Sequence, residues 1–388
     1  MGMRVAVTAA VATAGLLVGP RALAQPFTLE QVLAAPFPSG LVADSAARRF
    51  AWVERTEGRR NVWVATPTQP PTGFQSRAIT GYADDDGQDI GELHFIPGRD
   101  AVVYVRGGDF EAPDKPYPNP AHAATPPEQD LWLASLRGGS PVKLAEGHGP
   151  AVAPGGDRVV FVRKGNLYSI APRGGAKPDE LVRGLGNLGA VRFAPDGRSI
   201  AFVSLRGDHS VIGLYSFADR SVRWLDTGFG FDLEPTFAPD GARIAFLRLP
   251  FQPDEIGIGP HRSGTPWSIR LAVVATGRST EVYRAPAGRG SVFHELASEH
   301  QLYFTRGDEL VFPAETDGWL HLYAVPAGGR KRLPWATTPS RAVSVTGCGT
   351  TSDSEGKPAG RAPGLRSLSS PPGFSTAACI GRRALAAK

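Results

Sequence analysis

The chain has 388 residues, 41% of them hydrophobic, with 42 basic and 37 acidic side chains and two cysteines. That is enough apolar material for one large domain or two ordinary ones. Two cysteines exclude a disulfide scaffold and a cysteine metal cluster. The net charge of +5 comes from a short stretch near the end, which excludes a basic nucleic-acid-binding face on the rest.

Residues 1–24 read as a secretory signal. Arg4 supplies a positive start, Val5 to Gly19 is uncharged and too short for a comfortable membrane span, and Ala22-Leu23-Ala24 is an A-x-A cleavage site. The mature chain is expected to begin at Gln25, exported to a bacterial periplasm or beyond, with no stable membrane insertion once the signal is removed. In the stretch Phe27–Leu33 that follows, Thr28 can cap a short helix, with Gln31 placed for a capping box.

From here the chain repeats a phrase. Phe193–Ser204 reads Phe-Ala-Pro-Asp-Gly-Arg-Ser-Ile-Ala-Phe-Val-Ser, and Phe237–Arg248 reads Phe-Ala-Pro-Asp-Gly-Ala-Arg-Ile-Ala-Phe-Leu-Arg. Weaker copies occupy Phe95–Arg106 and Val152–Arg163. Their prolines, Pro97, Pro154, Pro195 and Pro239, are 57, 41 and 44 residues apart. Strands and turns at a period of about 40–50 residues mark the blades of a β-propeller. Pro-Asp-Gly is turn chemistry: proline presets φ, aspartate bonds back to the backbone, and glycine accepts a positive φ. The β-branched and aromatic run that follows, such as Ile200-Ala201-Phe202-Val203, suits a strand packed between blades.

The units follow in order. Ala51–Glu54 and Asn61–Ala65 belong to the first. Leu93–Val105 and Asp130–Ala134 make the second, interrupted by a proline-rich insertion at Gly107–Gln129, a length that tends to be functional or to contact a neighbour. Ala151–Ala171, Val191–Trp224, Pro235–Ala275 and Gln301–Val325 are the third to sixth, and the fifth carries a loop at Pro250–Pro266. The fold class is all-β: a propeller of about six recognisable four-stranded blades, an incomplete ring, spanning residues 25–333.

After Leu333 the pattern stops. Residues 334–388 hold seven basic and two acidic side chains, which leaves 35 of each sign in the rest. Ser, Thr, Gly, Ala, Pro and Arg dominate there, and both cysteines, Cys348 and Cys379, lie there. Such a composition is that of a disordered basic tail. The abrupt change just after Gly329 fits a reading-frame change at about residue 331.

The repeated phrases, with the opening Phe27–Pro38, the stretch Asp85–Leu93 (Asp-Asp-Gly-Gln-Asp-Ile-Gly-Glu-Leu) and Asp317–Tyr323, resemble the amino-terminal propeller of bacterial serine peptidases of the prolyl oligopeptidase type. The likeness is strongest to the dipeptidyl peptidase IV-like branch and covers about residues 27–330. It implies a propeller of about seven or eight blades that admits short peptides and caps an α/β-hydrolase domain with a Ser-Asp-His triad. This chain departs from that pattern. It has no Gly-x-Ser-x-Gly, the turn that presents the nucleophile. The nearest strings, Gly197–Ala201 and Gly373–Ala377, lie in a repeat hairpin and in the tail. Only 55 residues follow Leu333, and the last histidine is His321. No catalytic residue is assigned, and the chain is expected to be inactive alone. The other reading is a non-catalytic periplasmic scaffold propeller of the Tol-system type.

Three side chains are candidates for binding the partner, a peptide. Asp254 and Glu255 are adjacent carboxylates in the Pro250–Pro266 loop, and Glu234 starts a blade before Pro235. In dipeptidyl peptidases a glutamate pair of the propeller captures the substrate's ammonium, as charge-assisted bonding explains. A solvated loop pair is the plainer reading of Asp254 and Glu255. Asp84–Asp86 with Asp89 lacks the alternate spacing of a calcium loop and reads as an inter-blade turn. The eight histidines show no metal spacing, and the aromatics Trp52, Trp63, Trp132, Phe202, Phe246, Tyr303 and Tyr323 read as blade packing. No metal and no cofactor are expected.

Overall fold

A computed structural model describes residues 28–327, apart from 45, 70–72, 111–123, 126, 252–265, 289–290, 292, 297, 299 and 317–318, together with 342–343. The signal segment, most of the Gly107–Gln129 insertion, Asp254, Glu255 and nearly all of the tail therefore lie outside the described residues. The chain divides into two units, Met1–Ala35 and Pro36–Lys388.

In the first unit, helix α1 (Leu29–Leu33) begins with the expected capping box. The Gln31 amide donates to Thr28 Oγ1 at 3.2 Å, and the Thr28 amide donates to Gln31 Oε1 at 3.1 Å.

The second unit is a β-propeller, whose described residues form six four-stranded antiparallel blades. Blade 1 holds β1 (Phe37–Asp44), β2 (Arg49–Thr56), β3 (Arg59–Pro67) and β4 (Phe74–Ala78); blade 2 holds β5 (Ile90–Phe95), β6 (Ala101–Arg106), β7 (Asp130–Ser135) and β8 (Val142–Glu146). Blade 3 is β9 (His148–Val152), β10 (Val159–Arg163), β11 (Asn166–Ile170) and β12 (Asp179–Val182); blade 4 is β13 (Asn187–Phe193), β14 (Ser199–Leu205), β15 (Ser210–Ser216) and β16 (Ser221–Leu225). Blade 5 runs through β17 (Phe231–Phe237), β18 (Arg243–Leu249), β19 (Ser268–Val273) and β20 (Ser279–Arg284), and blade 6 through β21 (Tyr303–Phe304), β22 (Glu309–Ala314), β23 (His321–Pro326) and β24 (Ala342–Val343). Blades 4 and 5 are also joined by one parallel bridge, Ser210 to Phe231. Ala342 and Val343 pair with Tyr323 and Leu322 as the fourth strand of blade 6.

The first strands lie side by side in the order β1, β5, β9, β13, β17, β21 around the propeller axis. Five apolar clusters fill the spaces between consecutive blades. Residues of the second strands alternate between two of them, as a pleated strand buried on both faces must. In β14, Ile200 and Phe202 pack towards blade 3 while Ala201 and Val203 pack towards blade 5. Burying each such Phe stabilises by about 1.5–3 kcal/mol.

The repeated phrase forms the turn from first to second strand. The Gly197 amide donates to the Ala194 carbonyl at 2.9 Å, and Asp196 Oδ1 accepts from the Arg198 amide at 2.9 Å. The same turn also stacks blade on blade. A Cβ on Gly156 (φ +66°) would fall 2.1 Å from the Pro97 carbonyl oxygen of the preceding blade, so this position needs glycine for the turn and for the contact beyond it. A Cβ on Gly197 or Gly241 would meet the Pro154 or Pro195 ring at an ordinary 3.7 or 3.6 Å, so there only the positive φ of 71 or 70° asks for glycine.

The last residue of each phrase fastens the blade to the segment entering it. Arg106 pairs with Asp86 and lies over the Tyr82 ring at 4.1 Å. Arg163 reaches Glu146 at 3.5 Å, Arg248 Nη2 donates to the Asp226 carbonyl at 2.6 Å, and the Ser204 hydroxyl donates to the Leu185 carbonyl.

Candidate functional site: the ring of first-strand bulges

Five first strands carry a β-bulge, and one residue of each bulge has positive φ: Gly40, Glu92, Gly149, Ala190 and Glu234, at 60, 51, 60, 47 and 54°. In blades 2 to 5 this residue stands five positions before the turn proline. A bulge leaves its extra residue out of the ladder and re-aims its side chain. Here it turns polar groups from one first strand towards the next.

Two carboxylates use this geometry in the same way. Glu92 Oε2 of blade 2 accepts from the Gly149 amide of blade 3 at 2.7 Å. Glu234 Oε2 of blade 5 accepts from the Gln301 amide, just before β21, at 3.1 Å. Gly149 is itself a bulge residue, and Gln301 stands three residues before Phe304, as Glu234 stands three before Phe237. Each glutamate therefore satisfies a backbone donor at the equivalent position of the following blade.

Blade 4 has Ala190 at that position, and Arg192, two residues later, supplies the link instead. Arg192 Nη2 lies 3.8 Å from Glu234 Oε2, with both side chains 21% exposed, and it bonds His300 Nδ1. The Gln301 side chain is fully engaged with the segment before β21. Its Nε2 donates to the carbonyls of Leu296 (3.0 Å) and Ser298 (3.1 Å), and its Oε1 accepts from the Leu296 amide (2.8 Å). The result is a polar cluster of Arg192, Glu234, His300 and Gln301 held by three consecutive blades.

Glu234 is thus placed in a defined cluster, whereas Asp254 and Glu255 lie outside the described residues. Sequence reasoning missed Glu92, Arg192, His300 and Gln301 as members of this ring. A signal was available in the constant spacing to the phrase, which puts Glu92 and Glu234 at one repeat position. The acidic run is a junction, as its turn reading required. Asp85 meets Arg60 at 2.9 Å, and Asp89 meets Arg55 and Arg60 at 2.6 and 2.7 Å. Two more histidines contact carboxylates: His209 lies 2.7 Å from Asp208, and His294 lies 3.1 Å from Glu315. No helix among the described residues is long and apolar enough to cross a membrane.

No known protein family matches the sequence, and no curated protein does. Solved structures match the fold. A prolyl endopeptidase aligns over 81% of this chain and 44% of its own, at 12% identity and a TM-score of 0.54. A puromycin hydrolase aligns over 78% of this chain and 46% of its own, at 15% identity and a TM-score of 0.51. TolB from Acinetobacter baumannii covers 74% of this chain and 65% of its own, at 20% identity and a TM-score of 0.40. The fold resembles the propeller region of prolyl oligopeptidase-type enzymes. The chain spans less than half the length of either hydrolase.

Proposed function

We propose that this chain is the peptide-admitting propeller of an exported serine peptidase of the prolyl oligopeptidase type. The observation that carries this reading is the ordered set of sequence features: the opening Phe27–Pro38, the stretch Asp85–Leu93, the repeated phrases and Asp317–Tyr323, with no Gly-x-Ser-x-Gly anywhere. The similarity in fold to two hydrolases, over less than half of each, supports it. Glu234, with Asp254 and Glu255 of the Pro250–Pro266 loop, is the proposed seat of a peptide's free amino end, which a carboxylate holds by charge-assisted hydrogen bonds. Export rests on residues 1–24, with a mature amino terminus at Gln25.

Catalysis by an activated serine needs a nucleophile, a base within hydrogen-bond reach and a group that orients the base. The purified chain is therefore expected to release no chromophore from an Xaa-Pro anilide and to take no label from a serine-directed fluorophosphonate. Turnover abolished by that reagent would overturn the reading. A scaffold propeller of the Tol-system type shares the fold and gives the same null turnover. Binding of short peptides by their amino ends separates the two.

A further inference from the structure

Arg192 reaches across three blades. It leaves β13 of blade 4 and ends beside Glu234 of blade 5 and His300, which precedes β21 of blade 6. Bonds to groups other than Glu234 hold it there. Its Nη1 donates to the Val191 carbonyl at 2.9 Å, and its Nη2 bonds His300 Nδ1. The same Nη2 lies 3.8 Å from Glu234 Oε2, an ion-pair distance longer than a hydrogen bond.

Glu234 is likewise held from elsewhere. Its backbone sits at φ 54°, in the bulge that re-aims its side chain. Its Oε2 accepts from the Gln301 amide at 3.1 Å, and Gln301 is 5% exposed and fixed by its own side-chain bonds. The two opposite charges are thus neighbours set in place by separate bonds. Each side chain is 21% exposed, so solvent reaches both.

We infer that this seat selects peptides whose first residue is acidic, Asp or Glu, with Arg192 as the residue that determines the choice. The inference rests on reading Glu234 as the seat of a free amino end. An ammonium placed on Glu234 also faces the Arg192 guanidinium, and like charges in close contact oppose binding. Val191 and His300 hold that guanidinium, so it stays in place when Glu234 takes a ligand. A ligand that carries a carboxylate beside its ammonium meets both charges with opposite sign. In Asp or Glu three or four bonds separate the α-nitrogen from the carboxylate carbon, a reach of about 3–5 Å at about 1.5 Å per bond. That matches the 3.8 Å between Arg192 Nη2 and Glu234 Oε2.

Calorimetric titration of the full chain with Asp-Pro-Gly amide, Asn-Pro-Gly amide, their N-acetyl forms and free alanine tests this. The amide cap leaves the first side chain as the peptide's only carboxylate. The expected result is at least about tenfold tighter binding of the Asp peptide than of its Asn isostere. Arg192→Gln should close that gap, and Arg192→Lys, which keeps the charge, should retain part of it. Should the variants fold poorly, a salt series on the wild type decides. The gap should narrow between about 0.02 and about 0.5 M salt, as pairing of partly exposed charges requires, and a gap indifferent to salt would overturn the inference. An effect of acetylation without an Asp–Asn gap would overturn it and leave the amino-end seat standing. A gap that survives Arg192→Gln, or alanine bound as tightly as the Asp peptide, would also overturn it. Acetylation without effect would overturn the amino-end seat itself, and this inference with it.

Discussion

Asp232 is 1% exposed and is gripped by Arg248, which donates from Nε at 2.6 Å and from Nη2 at 2.8 Å. Its neighbours complete a network across the junction of blades 4 and 5. Asp226 accepts from Arg270 Nε at 2.7 Å and lies 3.4 Å from Arg248 Nη1, and the Ser279 hydroxyl donates to it. Burial pushes the Asp232 carboxyl from an ordinary 3.8 up to about 6, against the pull of the Arg248 guanidinium. The native chain then binds more protons than the unfolded chain between about pH 4 and pH 6, so this group's contribution to stability is present below that window and is lost as pH rises through it. A displacement of about two units bounds the effect at about 3 kcal/mol. Denaturant unfolding at about pH 4 and pH 7, compared between the wild type and Asp232→Asn, isolates it. The wild type should lose stability relative to the variant as pH rises, and a constant difference would contradict this placement of the charge. None of this was legible in the sequence, where Asp232 is one carboxylate among 37 acidic residues. Its burial depends on two blades meeting.

At the scale of the strand, the repeated phrase made most of the architecture legible. Proline, aspartate and glycine at fixed positions write the turn, and the β-branched run writes the buried second strand. The first strands were harder to read because they are short, partly polar and interrupted by a bulge. A bulge shifts the period-2 pattern within one strand, so Glu92 and Glu234 looked like isolated charges. The structure gives them one role each, satisfying the amide of Gly149 or Gln301 in the next blade. Glu92→Ala and Glu234→Ala are each expected to speed hydrogen exchange at the one amide concerned by about tenfold, as loss of a hydrogen bond worth about 1.5 kcal/mol requires. Exchange measured by NMR should leave the other amide unchanged in each variant. Equal acceleration at both sites would mean that the bulges act through the whole ring.

At the scale of the molecule, sequence spacing marks about six blades, and the described residues form six. The two-residue strand Ala342–Val343 lies inside a stretch of tail-like composition, where no sequence pattern marks it. The fold is shared with the propeller region of a prolyl endopeptidase and a puromycin hydrolase, and the proposed function rests on what the first-strand cluster binds. Calorimetric titration of the purified chain with a short Xaa-Pro peptide, free or acetylated at its amino end, measures whether the cluster holds a free amino end. The expected result is binding of the free peptide without cleavage, at least about tenfold weaker binding after acetylation, and a similar loss in Glu234→Gln. Equal affinity for the two peptides, or no binding of either, would contradict it.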